Sequence, residues 1–202
     1  MNQPNNKVRF IEKIGYGVGD AASSIFYKLF TTFLAFFYTD VFGISAAAAG
    51  TMILVIRFFD SANDPVMGII ADRTTTRWGK FRPYLLWGAV PFGIAGVLAF
   101  TTPDLSDGGK LVYAYITYTL LMIVYTIVNV PYSSLLGVMT SDSTERTSLA
   151  SYRYFFAFAG GFLVQVSLLL LAKFFGKENE ALGWQLSVAS YAVLAILLFF
   201  LT

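Results

Sequence analysis

Six long apolar stretches, separated by short loops that hold most of the charge, set what this chain can fold into. A hydrocarbon core about 30 Å thick is crossed by roughly 20 apolar helical residues. Segments at about 16–42, 46–71, 83–101, 110–138, 151–175 and 184–202 meet that requirement. Of 202 residues, 56% are hydrophobic and 13% are charged, where a soluble domain carries about a quarter charged residues. The expected fold is therefore an all-α membrane bundle of six transmembrane helices, preceded by a polar cytoplasmic N-terminus over residues 1–15. The 20 Phe and 12 Tyr suit surfaces that meet lipid and its interface.

Composition also excludes chemistry. With no cysteine there is neither a disulfide nor thiolate metal binding, and with no histidine the usual proton shuttle and transition-metal ligand are missing. A net charge of +2 is too small to point to nucleic acid. Residues Met1 to Lys13 contain no apolar run of the signal-peptide kind, so no cleaved leader is expected. The last apolar segment stops at Thr202 without a polar tail, which reads as a chain cut short.

Lys and Arg in the loops set the orientation. With the N-terminus inside, the cytoplasmic stretches hold Lys7, Arg9, Lys13, Arg73, Arg77, Lys80, Arg82, Arg146 and Arg153, against Lys110, Lys173 and Lys177 opposite. Both ends are then expected in the cytoplasm. Lys28 and Arg57 fall within spans.

A charge at the bilayer centre costs about 2.5–3.5 kcal/mol on insertion scales, so those that occur are expected to work. The second span reads Arg57-Phe-Phe-Asp60-Ser-Ala-Asn63-Asp64-Pro65. Spacings of three and four put Asp60, Asn63 and Asp64 on one face, with Arg57 a turn earlier. Two carboxylates and an amide oxygen are hard ligands, suited to Na⁺, Li⁺ or a proton rather than a transition metal. Pro65 leaves the Ser61 carbonyl without its helical donor. The alternative is an Arg57–Asp60 pair that only staples helices, which leaves Asp64 unexplained.

Other polar positions admit two readings. Asp20, Ser24 and Lys28 recur every four residues on the first span, either as a cavity wall for a polar substrate or as boundary residues with Lys28 snorkelling. Gly15, Gly17 and Gly19 follow no strand, so close helix packing is favoured over a dinucleotide loop. On the fourth span, Tyr125, Thr126, Asn129 and Tyr132 offer hydrogen bonds to sugar hydroxyls or a cation, or simply hold helices together. Arg153, opening the fifth span, is a substrate ligand or an interface anchor. The loop holding Arg77, Lys80 and Arg82 is basic enough to act as an inside anchor.

The run RFFDSANDPVMGIIADRTTTRWGKFRPY, with GYGVGD before it and YTIVNVPYSSL after it, resembles the glycoside–pentoside–hexuronide:cation symporters of the major facilitator superfamily, of which melibiose permease is a member. The likeness covers the N-terminal half of that family's usual length. It implies one six-helix bundle of a twelve-helix fold in the cytoplasmic (inner) membrane of a bacterium, with a missing C-terminal half as partner. It also implies symport of a sugar, glycoside or hexuronide with Na⁺ or H⁺ by alternating access, with no other cofactor. In that frame Asp60, Asn63, Asp64 and Thr126 match cation positions, while Tyr125 and Arg153 match sugar positions. Arg57, Arg77, Lys80 and Arg82 take gating or structural roles. Ser24, Asn129 and Ser133 stand where melibiose permease has two aspartates and a tryptophan, so galactoside recognition does not carry over. Asp20 is then a candidate for a hydroxyl contact and Lys28 for an anionic sugar.

Three other readings remain open: a non-transporting sensor or assembly subunit, a six-helix homodimer, and an intramembrane enzyme. The last lacks any nucleophile–base arrangement, so the expectation is that the protein is not an enzyme.

Overall fold

The computed structural model describes residues 7–202; the expectations placed on residues 1–6 lie outside them. Six helical rods make up the described chain: α1 (Phe10–Val41), α2 (Ala46–Arg73), α3 (Arg82–Ala99), α4 (Asp107–Met139), α5 (Ser143–Gly176) and α6 (Glu180–Phe200). Four of them, α1, α4, α5 and α6, are long and apolar enough to cross a membrane. Helix α2 falls outside that group because Arg57, Asp60 and Asp64 interrupt its apolar sequence. The shorter α3 opens on Arg82-Pro83-Tyr84.

Each rod starts and stops for local reasons. Ser45, Ser106, Asp142 and Asn179 accept the first free N–H groups of α2, α4, α5 and α6. Asp142 takes two of them, from Thr144 at 2.7 Å and Glu145 at 3.0 Å, which holds its carboxyl below the ordinary carboxylate range. Gly43, at φ 84°, turns the chain between α1 and α2. Helices α1, α5 and α6 begin before the apolar segments, at Phe10, Ser143 and Glu180. The polar turns ahead of them are therefore helical, since a cap and a good hydrogen-bond ladder require no apolar sequence.

Helix α1 is the central rod. It packs on α5 and α6, α3 packs on α4 and α6, and α2 packs on α4. Two π-helical stretches, Leu29–Phe33 and Phe37–Val41, widen the second half of α1. An aromatic cluster fills that end of the bundle, where Trp184 stacks on Phe100 at 6.2 Å and meets Phe37 at 5.6 Å. Outside, Phe155, Phe158, Phe162, Leu170 and Phe174 stand exposed along α5. A stripe of this size has no place in water and suits lipid. At the opposite end, Lys13 bonds Glu145 Oε2 at 2.8 Å and Ser148 Oγ at 2.9 Å, tying the start of α1 to the start of α5.

Close approach between rods relies on missing side chains. A Cβ at Gly160 would sit 2.6 Å from the Ala21 carbonyl oxygen, and one at Gly183 would sit 2.1 Å from that of Ala172. Both neighbours are backbone, so the helices themselves would have to part. Gly183→Ala is expected to lower thermal stability by about 1–3 kcal/mol, as overpacking does. Gly50→Ala, with open space at its Cβ, should leave it unchanged or slightly raised. Melting curves of the two variants in detergent would check the contrast.

Candidate functional site

Two polar constellations lie inside the bundle, on different helix pairs. The first joins α2 to α4. The Thr126 hydroxyl reaches Asp60 Oδ1 at 2.8 Å and Asp64 Oδ1 at 3.1 Å. Thr126 is buried, Asp60 half-buried and Asp64 exposed. The four-residue spacing puts both carboxylates on one face of α2, and α4 presents the threonine to them. One hydroxyl carries one proton, so it cannot donate fully to two carboxylates at once. Two negative charges converging on it leave room for a cation or a shared proton, which would relieve their repulsion.

The neighbours on α2 are less involved. No hydrogen bond links Asn63 to the pair, and Arg57 forms no ion pair with Asp60, so the stapling alternative is not what the structure builds. Among the described residues no group of three or more Asp, Glu, His or Cys side chains gathers to hold a metal. The hard-ligand set at this place is two carboxylates and a hydroxyl.

The second constellation joins α1 to α5. Arg153 Nε donates to Asp20 Oδ2 at 3.0 Å, and its Nη2 lies 3.4 Å from Ser133 Oγ. Its guanidinium sits over the Tyr132 ring at 5.4 Å. Asp20 is buried, so it serves Arg153 and offers little to a ligand directly. Ser24 and Lys28 follow it along α1, both half-buried. Lys28 has neither an ion pair nor a hydrogen bond among the described residues. Its stem lies over Gly161, where a Cβ would meet Lys28 Cγ at 2.9 Å.

An aromatic wall runs between the two constellations. Tyr125, next to Thr126 in sequence, stacks on Tyr27 at 6.3 Å and meets Phe30 edge-on at 5.2 Å. Asn129 Nδ2 donates to the Tyr125 hydroxyl at 3.1 Å, so this amide orients the tyrosine. Of the two readings of Tyr132, the structure builds the one that holds helices together: its ring stacks on Tyr16 at 5.0 Å and its hydroxyl donates to the Tyr16 carbonyl. That contact fastens α4 to α1. Sequence reasoning passed over Tyr16 and Tyr27, because an aromatic residue in an apolar run carries no signal of its own.

Arg77 lies over Trp78 at 4.3 Å in the turn Thr76–Gly79, and Lys80 and Arg82 are exposed. Arg77 and Arg82 line a hollow of about 750 Å³ with Glu12, Tyr16 and Leu85. It opens at the end of the bundle where α1 begins and reaches inward to Tyr16, whose ring stacks on Tyr132 beside Arg153.

A double-mutant cycle tests the α1–α5 pair. Asp20→Asn or Arg153→Gln alone should destabilise by about 1–3 kcal/mol, less than the about 3–5 of a fully buried pair because the Arg153 side chain keeps 24% exposure. The double variant should recover part of that loss, which chemical or thermal melts would register.

The chain matches the model of the MFS/sugar transport protein family over residues 15–202. It is 54% identical over 187 residues to the inner membrane symporter YicJ of Escherichia coli, covering 93% of this chain and 41% of that protein. It is 42% identical to the isoprimeverose transporter of Lactiplantibacillus pentosus, covering 97% and 41%. A glucuronide carrier protein homolog of Escherichia coli is 44% identical, covering 74% and 33%. The chain thus spans about two fifths, or less, of the length of these relatives. On this match, carried through every rod of the bundle, the chain belongs to the MFS/sugar transport protein family.

Proposed function

We propose that this chain is the N-terminal six-helix transmembrane bundle of a twelve-helix symporter that carries a sugar or glycoside across a bacterial inner membrane with Na⁺ or H⁺. The observation that carries the reading is the convergence of Asp60 and Asp64 on the single Thr126 hydroxyl. Such a pair is costly in a membrane unless an ion or proton visits it. Relatives named as symporters support the coupling, and one named for isoprimeverose supports a glycoside substrate. The length of those relatives supports a second bundle that completes the cavity. The basic loop between α2 and α3, with the basic start of α1, supports a cytoplasmic N-terminus.

In this reading the ion enters between α2 and α4, discharges the carboxylate repulsion, and fixes the position of α4. The sugar occupies the neighbouring space bounded by Tyr125, Asn129, Ser24 and Arg153, at mid-membrane between the two bundles. Each ligand then raises the affinity for the other, as linkage requires. Rocking of the bundles exposes the shared site to each side in turn.

In the complete transporter, Asp60→Cys and Asp64→Cys are expected to abolish accumulation of labelled sugar driven by an imposed Na⁺ or proton gradient. Full accumulation by either variant would refute the assignment. Thr126→Val should keep transport but raise the cation concentration for half-maximal uptake by roughly tenfold, the worth of a charge-assisted hydrogen bond. An unchanged cation dependence would remove Thr126 from the site. Comparing uptake with and without Na⁺ at fixed pH distinguishes the two coupling ions.

A further inference from the structure

Three helices meet on one guanidinium. From α1, Asp20 takes the Arg153 Nε–H at 3.0 Å. From α4, the Tyr132 ring faces the guanidinium carbon at 5.4 Å, and the Ser133 hydroxyl stands 3.4 Å from Nη2. A planar cation held by a single bond at Nε still turns about that bond. The Ser133 contact is long and too weak to stop it. The Tyr132 ring fixes the plane, because the attraction between a cation and an aromatic face holds only while the two stay apposed.

Tyr132 is itself immobilised. It is fully buried, its ring lies 20° from the plane of Tyr16, and its hydroxyl is spent on the Tyr16 carbonyl. Gly19 makes room for the ring: a Cβ there would come within 2.7 Å of Tyr132 Cε2. Tyr16, Gly19 and Asp20 fall at spacings of three and four, so they share one face of α1. That face supplies the stacking ring, the gap that admits Tyr132 and the carboxylate that takes Nε. Every one of these contacts is made within the bundle, between buried or half-buried groups of α1, α4 and α5.

Resting on the transport reading above, in which Arg153 borders the sugar, we propose that Tyr132 is a positioning residue that aims the terminal Nη edge of Arg153. Tyr16 and Gly19 hold Tyr132 in place. Tyr132 touches no sugar in this arrangement and acts only through the guanidinium. An arginine that has to be ordered when the sugar arrives loses affinity by the entropy of ordering it, and the ring removes that cost beforehand. The ring carries the effect, while the hydroxyl pins α4 to α1. The acids of α2 are not part of the stack, so affinity for the sugar and affinity for the ion respond separately.

The test uses the complete transporter in membrane vesicles with an imposed ion gradient. The probe is whichever of labelled xylose, glucose, methyl β-glucoside and glucuronate the wild type accumulates most. Tyr132→Leu should raise the sugar concentration for half-maximal uptake roughly tenfold, with the maximal rate kept within about twofold. The cation concentration for half-maximal uptake, taken at saturating sugar, should not move. Tyr132→Phe keeps the ring, so its sugar dependence should stay within about threefold of wild type although its melting temperature falls. Gly19→Ala should shift the sugar dependence in the same direction by less, and it decides the matter if size exclusion shows Tyr132→Leu unfolded. Val128→Ala, at a buried α4 residue packed on Gly88 of α3, should lower the melting temperature without moving the sugar dependence. A sugar dependence that follows melting temperature across the set, or that the deciding variant leaves unchanged, overturns the role of Tyr132 and leaves the symport reading standing. No gradient-driven uptake of any of the four probes overturns both.

Discussion

A charge in hydrocarbon has to be paired, hydrated in a cavity or neutralised, and the interior of this bundle is organised around that requirement. Asp20 meets it by pairing with Arg153 across two helices. Asp60 and Asp64 meet it only in part, since a single hydroxyl serves both. The fully paired group holds structure together, and the partly satisfied group is where an ion gains most by binding. The contrast between the two separates structural from functional charge more sharply than burial does. Asp20 is the more buried acid, yet Asp60 and Asp64 are the less completely paired.

The two constellations divide along the packing of the bundle. The acidic pair belongs to α2 and α4, and the pair with Lys28 belongs to α1 and α5. Direct packing between α1 and α4 is sparse, and what spans it is aromatic: Tyr16 on Tyr132 and Tyr27 on Tyr125. Tyr125 is bonded in sequence to Thr126, and Tyr27 to Lys28. In the proposed transport reading, a change in how Thr126 sits between two carboxylates would reach the substrate side through the Tyr27–Tyr125 stack. Sparse contact between the helix pairs leaves that stack free to transmit a shift that a densely packed interface would resist.

Much of this was legible in the sequence, for physical reasons. Apolar runs of membrane length impose helices, so the rods were expected, and the gap between the segments 16–42 and 46–71 falls where Gly43 turns the chain and Ser45 caps α2. Asp60 and Asp64 stood out because a carboxylate in lipid is costly, and Thr126 was tied to them only through the family resemblance; the structure brings the three together. The pairing of Asp20 with Arg153 was not legible, because 133 residues separate them and only the parallel register of α1 and α5 makes them neighbours. The π-helical stretches of α1 have no composition signature either; the second of them places Phe37 against Trp184. Tyr132 admitted both a ligand and a helix-holding reading, because a hydroxyl in an apolar run is conspicuous but names no partner. The structure uses that hydroxyl on a backbone carbonyl, which is the helix-holding role.

Glycine explains why the charged positions hold their geometry. Gly17, Gly160 and Gly161 let α1 and α5 approach until backbone meets backbone or lysine stem. At that distance a sideways shift of one helix would drive a Cα into a carbonyl, so the register of Asp20 with Arg153 and of Lys28 with Gly161 is fixed by contact alone. Helix α2 has no such seam: Gly50 faces open space and Gly68 meets only Val130 at 4.0 Å. The half of the site assigned to the substrate is therefore rigid and the half assigned to the ion is the adjustable one. That is the order symport needs, because an ion that repositions α2 against α4 can change a site whose other wall stays in place.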